Sequence, residues 1–283
     1  MRPVLLILIV LMGNAVAQPN VSVTCEKGPN PERILACTKL LQDQQPPDKI
    51  LAVYNNRGEA YQWSNQYDLA IKDYDAALEI DPTDVRALYG RGASFLATRQ
   101  YEQSIADADR LIAMGRKANV AAYQLKCAAL AGLGRFDEAI GSCSEQLKPF
   151  ANPVFLIDRA NVYLRAGQYD RAIEDFDAVL KNNAHDVGAV LGLGKAMFAQ
   201  KDYAAALQEF DRAYRIANDN GTRAFALNQR GLANEALGQR LAAISDFRQA
   251  LKAQPDLTES KDGLRRLGAS PTPLSEKQWW KVW

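Results

Sequence analysis

A pattern of small and aromatic side chains returns six times along this chain at intervals close to 34 residues, and no other feature constrains the fold so tightly. The clearest copy runs from Leu51 to Asp84 and places Gly58, Tyr61, Tyr67, Ala70, Tyr74, Ala77 and Pro82 at fixed offsets. Aligned on the same small residue, the later copies start at Val85, Val120, Pro153, Val187 and Ala224, in steps of 34, 35, 33, 34 and 37 residues. A period of that length is one helix–turn–helix hairpin. Six in succession predict an all-α stack in which each hairpin buries its apolar side only against its neighbours.

The alignment has a physical reading at each position. The eighth residue of each copy is Gly58, Gly92, Cys127, Ala160, Gly194 and Gly231, and the twentieth is Ala70, Ser104, Ala139, Ala172, Ala206 and Ala243. Small side chains at both places let the two helices of a hairpin pack closely, ridge into groove. The seventeenth position (Tyr67, Tyr101, Phe136, Tyr169, Tyr203, Arg240) and the twenty-fourth (Tyr74, Ala108, Cys143, Phe176, Phe210, Phe247) supply large knobs expected to fill the space between hairpins. Pro82 and Pro255 close their hairpins, because proline cannot continue a helix.

These residues resemble the tetratricopeptide repeat family over about Leu51 to Leu257, with repeats at 51–84, 85–119, 120–152, 153–186, 187–223 and 224–257. The third copy departs furthest, with Cys127 for glycine, Gln146 at position 27 and no proline in its closing turn. The resemblance implies a superhelical solenoid of helix pairs with a concave inner face, and such a stack needs caps. At the N-terminal side, residues 18–50 are expected to form a flap and a capping helix, with Asn30 as N-cap and Pro31 at the first helical position. Residues 258–269 read as a charged terminal helix and 270–283 as a tryptophan-rich tail.

Residues 1–17 carry Arg2, an apolar run from Val4 to Met12 and Ala15-Val16-Ala17, the pattern of a cleaved secretory signal peptide. No later stretch is apolar enough to span a bilayer. The expectation is an exported protein without a transmembrane anchor in its mature form, periplasmic in a bacterium or else secreted to the extracellular space. Asn-Asn-Arg-Gly at 55–58, behind a signal and a cysteine-bearing flap, is similar to secreted bacterial members of the family. Export bears on the four cysteines, since an even number in an oxidising compartment points to bridges. Cys25 with Cys37 would staple the flap to its helix. Cys127 and Cys143, at positions 8 and 24 of the third copy, are either a bridge across one hairpin or two buried thiols.

With 34 basic against 33 acidic residues of mixed order, there is no basic stripe for nucleic acid. Catalytic and metal-binding motifs are also missing from the sequence. The one histidine, His185, lies in a polar turn, and the Asp73–Asp75 and Asp175–Asp177 triplets read as solvated helix faces. The reading is therefore a non-enzyme, with no cofactor and no metal. In the family, a partner protein or peptide is gripped by residues of the first helix of each pair. Mapped here, those are Asn55, Glu59 and Trp63; Arg86 and Tyr89; Asn161 and Arg165; Lys195 and Phe198; and Asn228 and Glu235. The carboxylate clamp of the cytosolic chaperone-binding members is not reproduced, because the fifth and ninth residues of the first three copies are Asn55/Glu59, Tyr89/Ala93 and Gln124/Ala128. Trp279, Trp280 and Trp283 in the tail suit self-docking, a partner groove or peripheral contact with a membrane surface. The function expected is an envelope scaffold or adaptor, with a holdase-like periplasmic chaperone or a non-catalytic regulator of cell-wall enzymes as alternatives.

Overall fold

The computed structural model describes residues 21–43, 46–115, 119–147 and 152–270, so the signal region and the tail tryptophans lie outside the described residues. The described residues form fifteen helices and no strand. They fall into two compact units, residues 1–111 and 112–283.

In the first unit, α1 (Val21–Lys27) and α2 (Asn30–Gln42) form the flap, followed by the hairpins α3 (Pro47–Trp63)/α4 (Tyr67–Ile80) and α5 (Val85–Ala97)/α6 (Tyr101–Ala113). The last residues of α6 belong to the second unit. That unit continues with α7 (Asn119–Gly132)/α8 (Phe136–Leu147), α9 (Pro153–Arg165)/α10 (Tyr169–Asn182), α11 (Val187–Ala199)/α12 (Tyr203–Ile216) and α13 (Asn220–Ala236)/α14 (Arg240–Ala253), and ends on α15 (Thr258–Arg266). The flap differs from expectation in two ways. A short helix, α1, precedes the capping helix, and the residue before that helix is Pro29 rather than Asn30, which is already helical.

Every turn within the six hairpins is made the same way. Its fifteenth repeat residue takes a left-handed conformation: Asn65, Arg99, Gly134, Gly167, Lys201 and Gly238, with φ between 57° and 77°. Paired bonds of the type Asn65 N–H to Gln62 C=O and Gln66 N–H to Tyr61 C=O satisfy the last carbonyls of the first helix, a Schellman ending. Between hairpins, the first helix of the next pair starts on a side-chain cap where an aspartate or asparagine is available. Asp84 accepts from the Ala87 amide at 2.7 Å, and Asn152, Asp186 and Asp219 act alike.

Two recurring devices hold hairpins to themselves and to their neighbours. The first is the aromatic at position 24. Tyr74, Phe176, Phe210 and Phe247 are buried to within 3%. Phe247 lies between Gly231 of its own hairpin and Gly263 of α15, where an added Cβ would sit only 2.7 and 2.6 Å from the ring. Phe176 likewise faces Gly192 of the next hairpin, so glycine there is required by close approach rather than by backbone freedom. The position-17 aromatics are half-buried rather than core knobs, since they sit at the exposed first turn of each second helix.

The second device is an arginine–aspartate clamp between positions 7 and 23, sixteen residues apart. Arg57 grips Asp73 at 2.8 and 2.6 Å, Arg91 grips Asp107 at 2.8 and 2.6 Å, Arg159 grips Asp175 at 2.8 and 2.8 Å, and Arg230 grips Asp246 at 3.0 and 2.6 Å. The carboxylate hydrogen bonds hold the Arg57, Arg91 and Arg159 guanidiniums above their ordinary pKa. Each arginine also reaches the helix before its hairpin, donating to Thr38 of the flap helix α2, Asp75 of α4, Ser144 of α8 and Asp211 of α12 respectively. Asp73 and Asp175 are thus buried ion-pair partners, which corrects the reading of their triplets as solvated faces. Burying a carboxylate without a partner is costly, and the bidentate guanidinium offsets part of that penalty: at Asp73 burial still holds the carboxyl above its ordinary range despite Arg57.

Both cysteine pairs sit at bridging distance. Cys25 and Cys37 have a Cα separation of 4.8 Å and Cys127 and Cys143 one of 5.3 Å, inside the window a disulfide requires, and both are bonded.

Candidate partner-binding surface

The first helices of the hairpins carry the predicted contact residues, and the structure sorts these into exposed and occupied groups. In the first unit, Trp63 at the end of α3 is 71% exposed and Tyr89 on α5 is 40% exposed, two large aromatics on successive first helices. Glu59 accepts from Arg33 at 2.7 Å and from Arg86 at 3.5 Å, and Arg86 also donates to Asn56 Oδ1 at 3.1 Å. Arg86 of this array also lines a cavity of about 460 Å³, whose walls include Cys25, Lys49, Val53 and Asn56. Asn55 is not available to a partner. It is 2% exposed, and its amide nitrogen donates to the Asp84 cap at 2.9 Å while its carbonyl oxygen has no bond.

In the second unit, Asn161 is exposed, and Arg165 is exposed while donating to the Ala131 carbonyl at 2.6 Å, with its guanidinium 5.5 Å from the Phe136 ring centre. Lys195 is half-buried with its ammonium 4.7 Å from the Phe225 ring centre, and burial lowers its pKa. Phe198 is half-buried, edge-on to Tyr203 at 5.1 Å. Asn228 is 2% exposed and accepts from the Ser260 hydroxyl at 2.8 Å, so it joins α13 to α15 instead of facing a partner. Glu235 is held in a bidentate pair by Arg266 at 2.9 and 2.7 Å. Gln124 of α7 donates to Asp158 at 3.1 Å.

Among the described residues no group of three or more His, Cys, Asp or Glu side chains could hold a metal ion. His185 lies in the turn after α10, where its backbone N–H donates to the Asn183 side chain. No helix among the described residues is long and apolar enough to cross a membrane. Sequence reasoning missed the clamp and the Glu59 array. The signal for the clamp was present as an arginine and an aspartate sixteen residues apart in four of six copies.

Three sequence models of the family described as tetratricopeptide repeat match residues 52–84, 157–221 and 226–257. The described residues have the all-α helix-hairpin fold of tetratricopeptide-repeat proteins. The Hsp70-Hsp90 organizing protein of Triticum aestivum is 27% identical over 222 residues, which cover 75% of this chain and 36% of that protein. The chain spans 35% to 42% of the length of three such relatives, so it resembles a repeat segment of larger proteins. Among solved structures, a tetratricopeptide repeat protein from Parabacteroides merdae superposes with a TM-score of 0.71 at 16% identity, covering 88% of this chain and 96% of that one. Pseudomonas aeruginosa pilF gives 0.60 at 19% identity, covering 78% and 100%. At these identities the likeness is one of fold. Tetratricopeptide repeats mediate protein–protein interaction, and the fold is typically a non-catalytic scaffold.

Proposed function

We propose that this protein is an exported scaffold or adaptor that binds another protein of the cell envelope through the first-helix face of its hairpins. The observation that carries the reading is the exposure of Trp63 and Tyr89 beside the Arg33–Glu59–Arg86 array. Large exposed aromatics next to arginine are the residue types that dominate binding energy at interfaces. Export is supported by the Val4–Met12 run with Ala15-Val16-Ala17 and by two bridged cysteine pairs, which persist in oxidising compartments. A carboxylate clamp of the chaperone-binding kind finds no support in the first hairpin, where Asn55 is closed off by Asp84.

Crosslinking in intact cells, followed by mass spectrometry, tests the reading with a Trp63→Ala/Tyr89→Ala variant alongside. One enriched envelope protein that disappears in the variant is the expected result. A diffuse set of exported chains would replace the adaptor with a holdase-like chaperone, and one partner unaffected by the variant would move the site off this face. N-terminal sequencing of the purified protein tests export separately, with cleavage after Ala17 expected and an intact Met1 refuting it.

A further inference from the structure

The two bracing devices are distributed unevenly over the hairpins. The first, fourth and sixth have both the clamp and the position-24 aromatic. The second has the clamp with Ala108 in place of the aromatic, and the fifth has Phe210 against Gly194 but Leu193 and Glu209 in the clamp positions. Only the third hairpin, α7/α8, lacks both. Its clamp positions hold Lys126 and Ser142, and its position 24 is Cys143. A further cost falls on the same hairpin. Gln146 of α8 is fully buried, and neither its amide nitrogen nor its oxygen has a hydrogen-bond partner. The other hairpins place Ala77, Leu111, Val179, Ala213 and Ala250 at that position. What the third hairpin has instead is the Cys127–Cys143 bridge. It joins the same two helices across the same sixteen-residue separation, one residue along from the absent clamp.

We propose that this disulfide replaces both missing braces and makes the third hairpin a redox-controlled joint, closed when the bridge is formed and opened by a dithiol. The chemistry is thiol–disulfide exchange. A dithiol's thiolate attacks one sulfur of the bridge to form a mixed disulfide and release the other as a thiolate. The second thiol of the reagent then closes its own ring and frees the first cysteine. Two electrons and two protons pass from the dithiol to the bridge, so that two cysteine thiols replace one S–S bond and the reagent ends as a cyclic disulfide. Both cysteines are no more than 3% exposed, so the exchange proceeds through opening of the hairpin. Opening also brings water to the Gln146 amide, which favours the released state. The remaining hairpins keep their own braces and stay folded, because repeats interact only with their neighbours.

The test is hydrogen exchange measured by mass spectrometry on the full chain carrying Cys25→Ser/Cys37→Ser, so that the flap bridge does not contribute. Dithiothreitol is expected to lower protection of α7 and α8 by roughly a hundredfold, the effect of removing a cross-link around a loop of this size, and to leave α10 and α14 unchanged. Adding Cys127→Ala/Cys143→Ala should reproduce that loss without reductant, and grafting the clamp with Lys126→Arg/Ser142→Asp should restore protection and make it insensitive to dithiothreitol. Unchanged protection on reduction would overturn the proposal, as would loss spread evenly over every helix. If the cysteine-free protein fails to fold, the graft must rescue it, and a graft without effect overturns the replacement.

Discussion

Arg91→Met is the perturbation that most directly measures the clamp, because the second hairpin has no position-24 aromatic to compensate. Arg91 donates two bonds to Asp107, whose side chain is 3% exposed, and a third at 2.7 Å to Asp75, whose side chain is 48% exposed. The Asp75 contact is solvent-screened and contributes at most about 1 kcal/mol. The Asp107 contact differs in kind, since truncating Arg91 leaves a buried carboxylate whose nearest remaining cation is Arg110 at 3.7 Å. Stranding one partner of a buried pair costs about 3–5 kcal/mol. Replacing both, as Arg91→Met/Asp107→Leu, removes the stranded charge and is expected to cost about 1 kcal/mol or less. Urea denaturation followed by far-ultraviolet circular dichroism gives both values without the screening that guanidinium would introduce. The double variant should be more stable than the single one. A single variant costing under about 1 kcal/mol, or a double variant no better than the single, would refute a clamp whose strength lies in the buried charge.

Three further outcomes follow from particular side chains. Gln146→Leu should raise stability by about 1–3 kcal/mol, because it removes a buried amide without partners at a position where every other hairpin is aliphatic; a lower urea midpoint would show that the amide is satisfied in solution. Lys201→Gly should raise stability by up to about 1 kcal/mol, since Lys201 holds a left-handed φ of 68° that three other hairpins assign to glycine, and the same melt checks it. Burial raises the Asp158 carboxyl above its ordinary range, and the Gln124 amide offsets only part of the rise. The folded state therefore binds that proton more tightly than the unfolded chain, and its stability falls as pH rises from about 3.9 through the folded value. Asp158→Asn should melt higher than the parent at pH 7, with the gap closing below about pH 4; a variant less stable at pH 7 would reverse the sign of the argument.

The register of the hairpins was legible because packing distance is set by side-chain volume, and volume is visible in a sequence. Gly58, Ala70 and their equivalents mark where helices approach, and Tyr74, Phe176 and Phe247 are buried where the pattern put them. The clamp was illegible because an aspartate on a helix is solvated by default, and Asp73 changes character only when Arg57 arrives from across a turn. The same limit explains Asn55 and Asn228. A helical repeat tells which face a residue occupies, yet the Asp84 cap and Ser260 of α15 cover those two amides from neighbouring elements. At the turns, Gly134, Gly167 and Gly238 betrayed the left-handed position, whereas Asn65, Arg99 and Lys201 hid it behind side chains that tolerate it at a cost.

Bracing bears on recognition through the entropy of binding. A side chain presented to a partner contributes most when the backbone beneath it is already ordered, since each group immobilised on binding subtracts from the affinity. Trp63 ends α3, and that helix is held by the Arg57–Asp73 clamp, by Tyr74 against Gly58 and, through Arg57 and Thr38, by the flap helix α2. The flap is in turn fixed by Cys25–Cys37, and Arg33 of α2 orients Glu59 toward Arg86. Trp63, the one tryptophan among the described residues, thus stands on a hairpin with several independent supports. That arrangement favours a preformed contact surface over one that orders on binding. It also explains why a chain can place a 71% exposed indole in water: the surrounding structure is anchored by other means, and the indole is left free for association.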